Sequence, residues 1–254
     1  VPIHYAGVAC DIDGIRDVAA EWPRAEIVED NAHGLFGSLR GQPLGSFGRF
    51  STMSFHETLN FICGEGGALV VNDAAGVDRA HVLYDKGTNR RAFLHGQVDK
   101  YSWQDTGSSF GLSDVLAAYL YGQLREHDSI LAKRRHAFDR YHELLSPSAE
   151  RLGYRLPVVP PDCVPAYHMF YVVLPDHDTR NRVLSSMNDA GVLATFHYVQ
   201  LHSAPGGRRV SARDTPCPVT DDISARLLRL PFYTTLTDAD AEQVVDAFFV
   251  GLGH

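Results

Sequence analysis

The sequence predicts an α/β protein: a mixed, mainly parallel sheet followed by a smaller α+β domain. Three observations carry this. A strand, a helix and a second strand succeed one another within the first thirty residues, the rhythm of a parallel sheet with crossover helices. Two further strand candidates, 49–55 and 68–72, flank the turn Gly64-Glu65-Gly66-Gly67. Beyond a long helical segment, Pro157, Pro160, Pro161 and Pro165 mark an extended connector, after which strand and helix patterns resume.

The chain opens on Val1-Pro2-Ile3-His4-Tyr5, an apolar run that reads as a buried strand met partway through a fold, so a piece of a longer protein is expected. Ile12, Ile15, Val18 and Ala19 then recur at helical spacing, with Asp11 or Asp13 as cap. Residues 25–29 read as a strand ended by Asp30. A helix follows over 74–85, and 86–111 is polar and loop-like. Ser113 is a cap for one long helix to about 145, with Leu116, Leu120 and Leu124 on its apolar face and Ser146-Pro147 as its stop. In the second part, 169–174 and 192–198 read as strands, and 179–190, 225–230 and 239–249 as helices. The expected division is a large domain over 1–145 and a small one over 146–254.

The 254 residues carry 31 acidic and 23 basic side chains, net −8, with the arginines scattered, which counts against a nucleic-acid binder. Four cysteines lie far apart with no CxxC pair, and thirteen histidines show no HExxH spacing, so no metal site is expected. Dispersed cysteines suit a reducing cytoplasm. No apolar run reaches membrane-span length.

Three clusters can carry chemistry, each at or after a strand end, where open α/β sheets place ligands. In Glu29-Asp30-Asn31-Ala32-His33-Gly34, the carboxylate of Asp30 can meet a cationic ring nitrogen or simply cap the loop. In Ser54-Phe55-His56-Glu57-Thr58-Leu59-Asn60 and the following glycines, a hydroxyl and free amides can hold a phosphate, or the segment is a plain hairpin turn. In Gly107-Ser108-Ser109-Phe110-Gly111, the approach to a helix N-terminus can attract an anion, alongside an ordinary cap at Ser113.

Taken in order, these motifs resemble the DegT/DnrJ/StrS sugar aminotransferases. The likeness runs through His4-Tyr5-Ala6-Gly7, Ser54-Phe55-His56-Glu57-Thr58, Gly64-Glu65-Gly66-Gly67, Lys86-Gly87-Thr88-Asn89-Arg90, Gly107-Ser108-Ser109, Phe196-His197-Tyr198 and Arg226-Leu227-Leu228-Arg229-Leu230-Pro231. It implies a fold-type I pyridoxal 5'-phosphate (PLP) enzyme working as a homodimer, moving an amino group from glutamate to a dTDP-linked 4-keto-6-deoxyhexose. It implies Asp30 at the pyridinium nitrogen, His33 near the ring hydroxyl, Ser54 at the phosphate, and Ser109 reaching the phosphate site of a neighbouring subunit. His197 and Tyr198 would line the sugar site, with His56, Asn89, Arg90 and Trp103 as further substrate-side residues. Two departures follow from the same resemblance. The family's leading segment, with its glycine/threonine phosphate loop, has no counterpart here. The lysine that covalently holds PLP should directly follow Ser-Phe-His-Glu-Thr, and that position is Leu59, while the lysines present are Lys86, Lys100 and Lys133. An inactive chain with weak, noncovalent PLP binding is therefore expected. A non-catalytic subunit partnering a lysine-bearing homologue is the alternative. An oxidoreductase on a dinucleotide fold is disfavoured, because no GxGxxG follows an early strand.

Overall fold

Asp11 accepts from the amide of Gly14 at 3.2 Å and so opens α1 (Ile12–Ala20). The computed structural model describes residues 1–211 and 215–254, which divide into two units: Val1–Asp128 with Val159–His168, and Ser129–Val158 with Met169–His254.

In the first unit the chain runs from α1 through β1 (Val28–Asp30), the short hairpin β2 (Ser38–Leu39) and β3 (Gln42–Pro43), then β4 (Phe50–Ser54) and β5 (Gly67–Val71). Two helices, α2 (Val77–Tyr84) and α3 (Arg90–Leu94), precede α4 (Asp114–Arg125). The main sheet has the order β1-β4-β5, with β1 and β4 parallel and β4 and β5 antiparallel, so it is mixed. Residues 1–5 are not a full strand. Ile3 forms a single parallel bridge to Asp30, and a 3-10 turn over Tyr5–Gly7 follows at once. Pro2 has no amide to extend a ladder, and Ala6 sits at φ +58°.

Ser113 accepts from Leu116 at 3.3 Å and caps α4. The single helix expected to about 145 is two. It breaks at Glu126 (φ −103°, ψ 18°), and α5 (His127–Leu152) then runs through Pro147. Proline has no amide to give to the Glu143 carbonyl one turn back; beside that turn, Tyr154 donates its hydroxyl to the Leu145 carbonyl at 2.5 Å, and both residues are buried.

The proline connector also does more than connect. β6 (Cys163–Val164) pairs with β2 in a second small sheet of order β3-β2-β6. Cys163 is buried with Ala9, Ile12, Leu39, Leu44 and Phe47, which is why 159–168 belongs to the first unit.

The second unit holds β7 (Tyr171–Val173), α6 (His177–Asp189), β8 (Thr195–Phe196), α7 (Pro205–Val210), α8 (Pro218–Arg226), β9 (Leu227–Arg229) and α9 (Asp238–Leu252). The helix expected over 225–230 ends at Arg226. Leu227–Arg229 is instead the central strand of an antiparallel sheet, β7-β9-β8. Leucine favours helices in isolation, but burial of Leu227 and Leu228 between two neighbours overrides that preference. α6 and α9 approach so closely that a Cβ on Gly251 would lie 3.1 Å from the Val183 Cα. Thr237 and Asp240 form a capping box at the start of α9.

Candidate cofactor site

Asp30 is held from both sides. Its amide donates to the Pro2 carbonyl (2.8 Å), its carbonyl accepts from His4 (3.1 Å), and the next amide, of Asn31, donates to the Thr52 carbonyl (2.9 Å). In the register of β1 and β4, Asp30 stands opposite Thr52. Side chains alternate along a strand, so Asp30, Thr52 and Ser54 share one face of the sheet. Glu29, Ser51 and Met53 share the other. The Asp30 carboxylate accepts from the Ala32 amide at 3.0 Å, and the Ser54 hydroxyl from the His56 amide at 3.3 Å.

The opposite face carries a group that sequence reading passed over. Glu29 is fully buried. Its carboxylate accepts from the amides of Gly45 (2.9 Å), Phe47 (2.6 Å) and Gly48 (2.7 Å), and pairs with His4 Nε2 at 3.0 Å. Burial pushes its pKa up, but the His4 hydrogen bond and the Gly48 and Phe47 amides outweigh it and hold the carboxyl below the usual range. His4 Nδ1 accepts from the Cys10 amide at 3.3 Å, so the His4 proton sits on Nε2, facing Glu29. The available signal was an acid at the centre of a strand pattern.

The loop between β4 and β5 is clamped at several points. Gln123 of α4 donates to the Ile62 carbonyl (2.6 Å) and accepts from the Ile62 amide (3.1 Å). Phe61 is buried edge-on against Phe36. Asn60 donates to the Ala166 carbonyl at 2.6 Å and its Oδ1 meets His168 Nδ1 at 3.2 Å. Leu59, half-buried, lies in this loop with its amide on the His56 carbonyl (3.0 Å). His56 turns toward its own loop, with Nδ1 2.9 Å from Thr58 Oγ1 and Nε2 3.6 Å from Glu65. His33 stacks on His168, with ring centroids 4.0 Å apart and 15° between planes, and Tyr5 meets it edge-on.

Ser109, Asn89 and Trp103 lie on the segment beyond α2, which was expected to be a loop throughout but holds α3, whose first residue is Arg90. Asp85 and Ser109 form an antiparallel bridge, as do Thr88 and Trp103. Asn89 spends both ends of its side-chain amide closing this segment, its Oδ1 accepting from the Ser102 amide (2.7 Å) and its Nδ2 donating to the Lys100 carbonyl (3.1 Å). Arg90 lies 3.6 Å from Asp85, and the exposed Trp103 indole donates to the Asp105 carbonyl. Asn89 also lines a cleft of about 510 Å³ with His81, Arg91 and His95. Burial, then Arg91, lowers the His81 pKa. In the second unit, His197 is buried with its Nδ1 3.2 Å from Arg229, and its ring lies 4.3 Å from that of Tyr198, a residue at φ +58°.

The noncovalent donor set fits PLP: a carboxylate and a hydroxyl at the ends of neighbouring parallel strands, on one face. Position 59 is aliphatic, Lys86 pairs with Asp85 at 3.2 Å, Lys100 lies on the 86–111 loop, and Lys133 is on α5 in the other unit.

The model of the DegT/DnrJ/EryC1/StrS aminotransferase family matches residues 1–249. The chain belongs to that family. Aminotransferases of the DegT/DnrJ/EryC1/StrS family use PLP. Among solved structures, the chain is similar to the aminotransferase TlmJ from Streptoalloteichus hindustanus, at 26% identity and TM-score 0.86, covering 99% of this chain and 65% of that one. DesV of S. venezuelae, solved in complex with a ketimine intermediate, matches at 27% identity and TM-score 0.86, with 99% and 64% covered. PseC of Helicobacter pylori, an aminotransferase involved in the biosynthesis of pseudoaminic acid, shares the fold at TM-score 0.85 and 17% identity, with 99% and 66% covered. The chain thus spans just under two thirds of the length of these relatives. No group of three or more metal-ligating side chains occurs among the described residues, nor does a helix long and apolar enough to cross a membrane.

Proposed function

We propose that this chain is the greater part of a nucleotide-sugar aminotransferase that holds PLP noncovalently and, with Leu59 in the lysine position, does not transfer an amino group by itself. One observation carries the reading: Asp30 and Ser54 share a sheet face at adjacent strand ends, while the loop that follows offers an aliphatic side chain and no amine. Asp30 would pair with the ring nitrogen and keep it protonated, Ser54 would donate to the phosphate, and His33 would stand beside the ring. When bound, PLP supplies an electron sink. What this chain lacks is a titratable group at position 59 to hold and return a proton.

Likeness to dTDP-4-amino-4,6-dideoxygalactose transaminases motivates a dTDP-linked 4-keto-6-deoxyhexose as sugar and glutamate as donor. His197 and Tyr198 would face that sugar, with His56, Asn89, Arg90 and Trp103 as further contacts. We place the protein in the cytoplasm as a homodimer. A second reading is favoured by Ser109, whose exposed position on the 86–111 loop suits donation to a neighbouring subunit. The chain would then complete the site of a lysine-bearing partner.

The test has two arms. Purified protein is mixed with PLP and treated with borohydride, and no covalent adduct is expected. Leu59→Lys, in a chain extended to the length of its relatives, should form a borohydride-stable PLP adduct and accept an amino group from glutamate. A trapped adduct on the unmodified chain, or failure of the extended Leu59→Lys protein to bind PLP, would overturn the proposal.

A further inference from the structure

We propose that the cleft between α2 and α3 is a second ligand site, one that takes a phosphate monoester carrying a compact apolar body. Its lining includes neither Asp30 nor Ser54, so the inference does not rest on the PLP reading.

The cleft measures about 510 Å³, the size of a small-molecule site. Val77 and Val82 on α2, Ala92 on α3 and Val98 just beyond it give it apolar walls. Some of its polar groups are already committed to the fold. Thr88 donates its hydroxyl to the Asp85 carbonyl at 2.7 Å, and the Asn89 side chain is spent on Ser102 and Lys100. Others are not. The side chains of His95 and Gln97 line the cleft and have no hydrogen-bond or ion-pair partner among the described residues. An apolar body with a few convergent polar groups at one side is the usual make-up of a pocket that binds a small molecule.

The polar side of the cleft favours an anion. Arg91 Nη1 lies 3.3 Å from His81 Nδ1. A guanidinium can only donate, so Nδ1 presents its lone pair, the ring is neutral, and its proton is on Nε2. Burial, then Arg91, holds the His81 pKa below its usual value; Asp78 acts in the opposite sense, and His95 adds to the lowering. Arg91 thus outweighs Asp78 at this ring, in a chain whose net charge is −8. Local groups set the field of a cleft, and perturbed titratable groups in a cleft are a mark of ligand sites. The remaining N–H groups of Arg91, the His81 Nε2–H, the His95 ring and the Gln97 amide offer more donors than a carboxylate has oxygens. A phosphate monoester has one more terminal oxygen and a larger negative charge. Placed beside Arg91, it would also relieve the repulsion that keeps His81 neutral.

The probe is phenyl phosphate, titrated at neutral pH into ¹⁵N-histidine-labelled protein, with inorganic phosphate and benzoate in parallel. The His81 and His95 signals are identified by their loss in His81→Gln and His95→Gln. Phenyl phosphate should move both signals saturably. Inorganic phosphate, which lacks the apolar body, and benzoate, which lacks the phosphate, should each bind at least about tenfold more weakly. Arg91→Leu, at an exposed position, should keep its far-UV circular dichroism and weaken phenyl phosphate by at least about tenfold. Asp78→Asn removes a like charge and should tighten it by about threefold. Ser54→Ala should leave it unchanged. The proposal is overturned if neither histidine signal moves saturably up to about 10 mM phenyl phosphate, or if Arg91→Leu binds as the native chain does. Benzoate or inorganic phosphate binding as tightly as phenyl phosphate would overturn the ligand class, as would weaker binding in Asp78→Asn. A response lost in Ser54→Ala would put the ligand on the Asp30–Ser54 face and overturn the second site.

Discussion

Glu29 shows how much one buried side chain can organise. Three backbone amides from the loop after β3 and the His4 ring converge on its carboxylate, tying that loop and the first residues of the chain to the underside of β1. Its pKa lies below that of a free carboxyl, so the charged form is favoured by folding. That stability is fully present above about pH 4.5, the ordinary value of a glutamate carboxyl, and is lost as pH falls through the depressed folded value. Glu29→Ala leaves three inward-facing amides and an imidazole without their acceptor and should destabilise the chain by about 3–5 kcal/mol, read as a lower urea midpoint at pH 7. Glu29→Gln should flatten the dependence of that midpoint on pH below about pH 4.5. An unchanged acid limb in Glu29→Gln would show that other carboxyls govern it. Asp30, one residue on, faces the other way, and the strand period of two alone separates a structural acid from a candidate cofactor ligand.

At the scale of elements, the loop between β4 and β5 matters most, because it carries Leu59. Its conformation depends on α4 through the paired bonds of Gln123 with Ile62. Gln123→Leu removes both and should cost about 1–3 kcal/mol for the backbone groups left unpaired. Hydrogen exchange should locate the loss, with the amides of Ile62 and Cys63 losing protection while those of β1 and β4 keep theirs. Equal loss throughout the sheet would mean that the clamp supports the fold rather than the loop. The strand β9 makes a related point. The run Arg226-Leu227-Leu228-Arg229-Leu230 has helical character in isolation, and only its place between β7 and β8 makes it a strand. Short apolar runs are ambiguous between the two periods.

For the whole molecule, the first unit exposes an unusual set of large apolar side chains. Val115, Tyr119 and Tyr121 on α4 are each more than half exposed, as are Phe110 and Trp103 on the preceding loop. Obligate interfaces resemble a domain core cut in half, so self-association is expected. Sedimentation at micromolar concentration should find dimers or larger species, and Tyr119→Glu with Val115→Glu should shift the population toward monomer. A native chain that sediments as a monomer would count against the homodimer.

The α/β class and the mixed sheet were readable from the residues, because turn glycines, caps and alternation of apolar side chains are local signals; the family was readable only through the resemblance of the ordered motifs. That position 59 is a leucine was equally plain; that it stands where the family's lysine stands belongs to the proposed function. The side-chain partnerships were not. Nothing in the spacing of Ala6, His33, Asn60 and His168 announces that four segments meet, or that His33 has its Nδ1 occupied by a backbone amide. Cys163, in a proline-rich stretch that reads as a connector, became part of an edge strand paired with β2, its side chain covering Ala9, Ile12 and Phe47. Local sequence sets the periodicity of each element. Which atoms satisfy a buried carboxylate or select a tautomer is decided only when distant segments close around them and water is excluded.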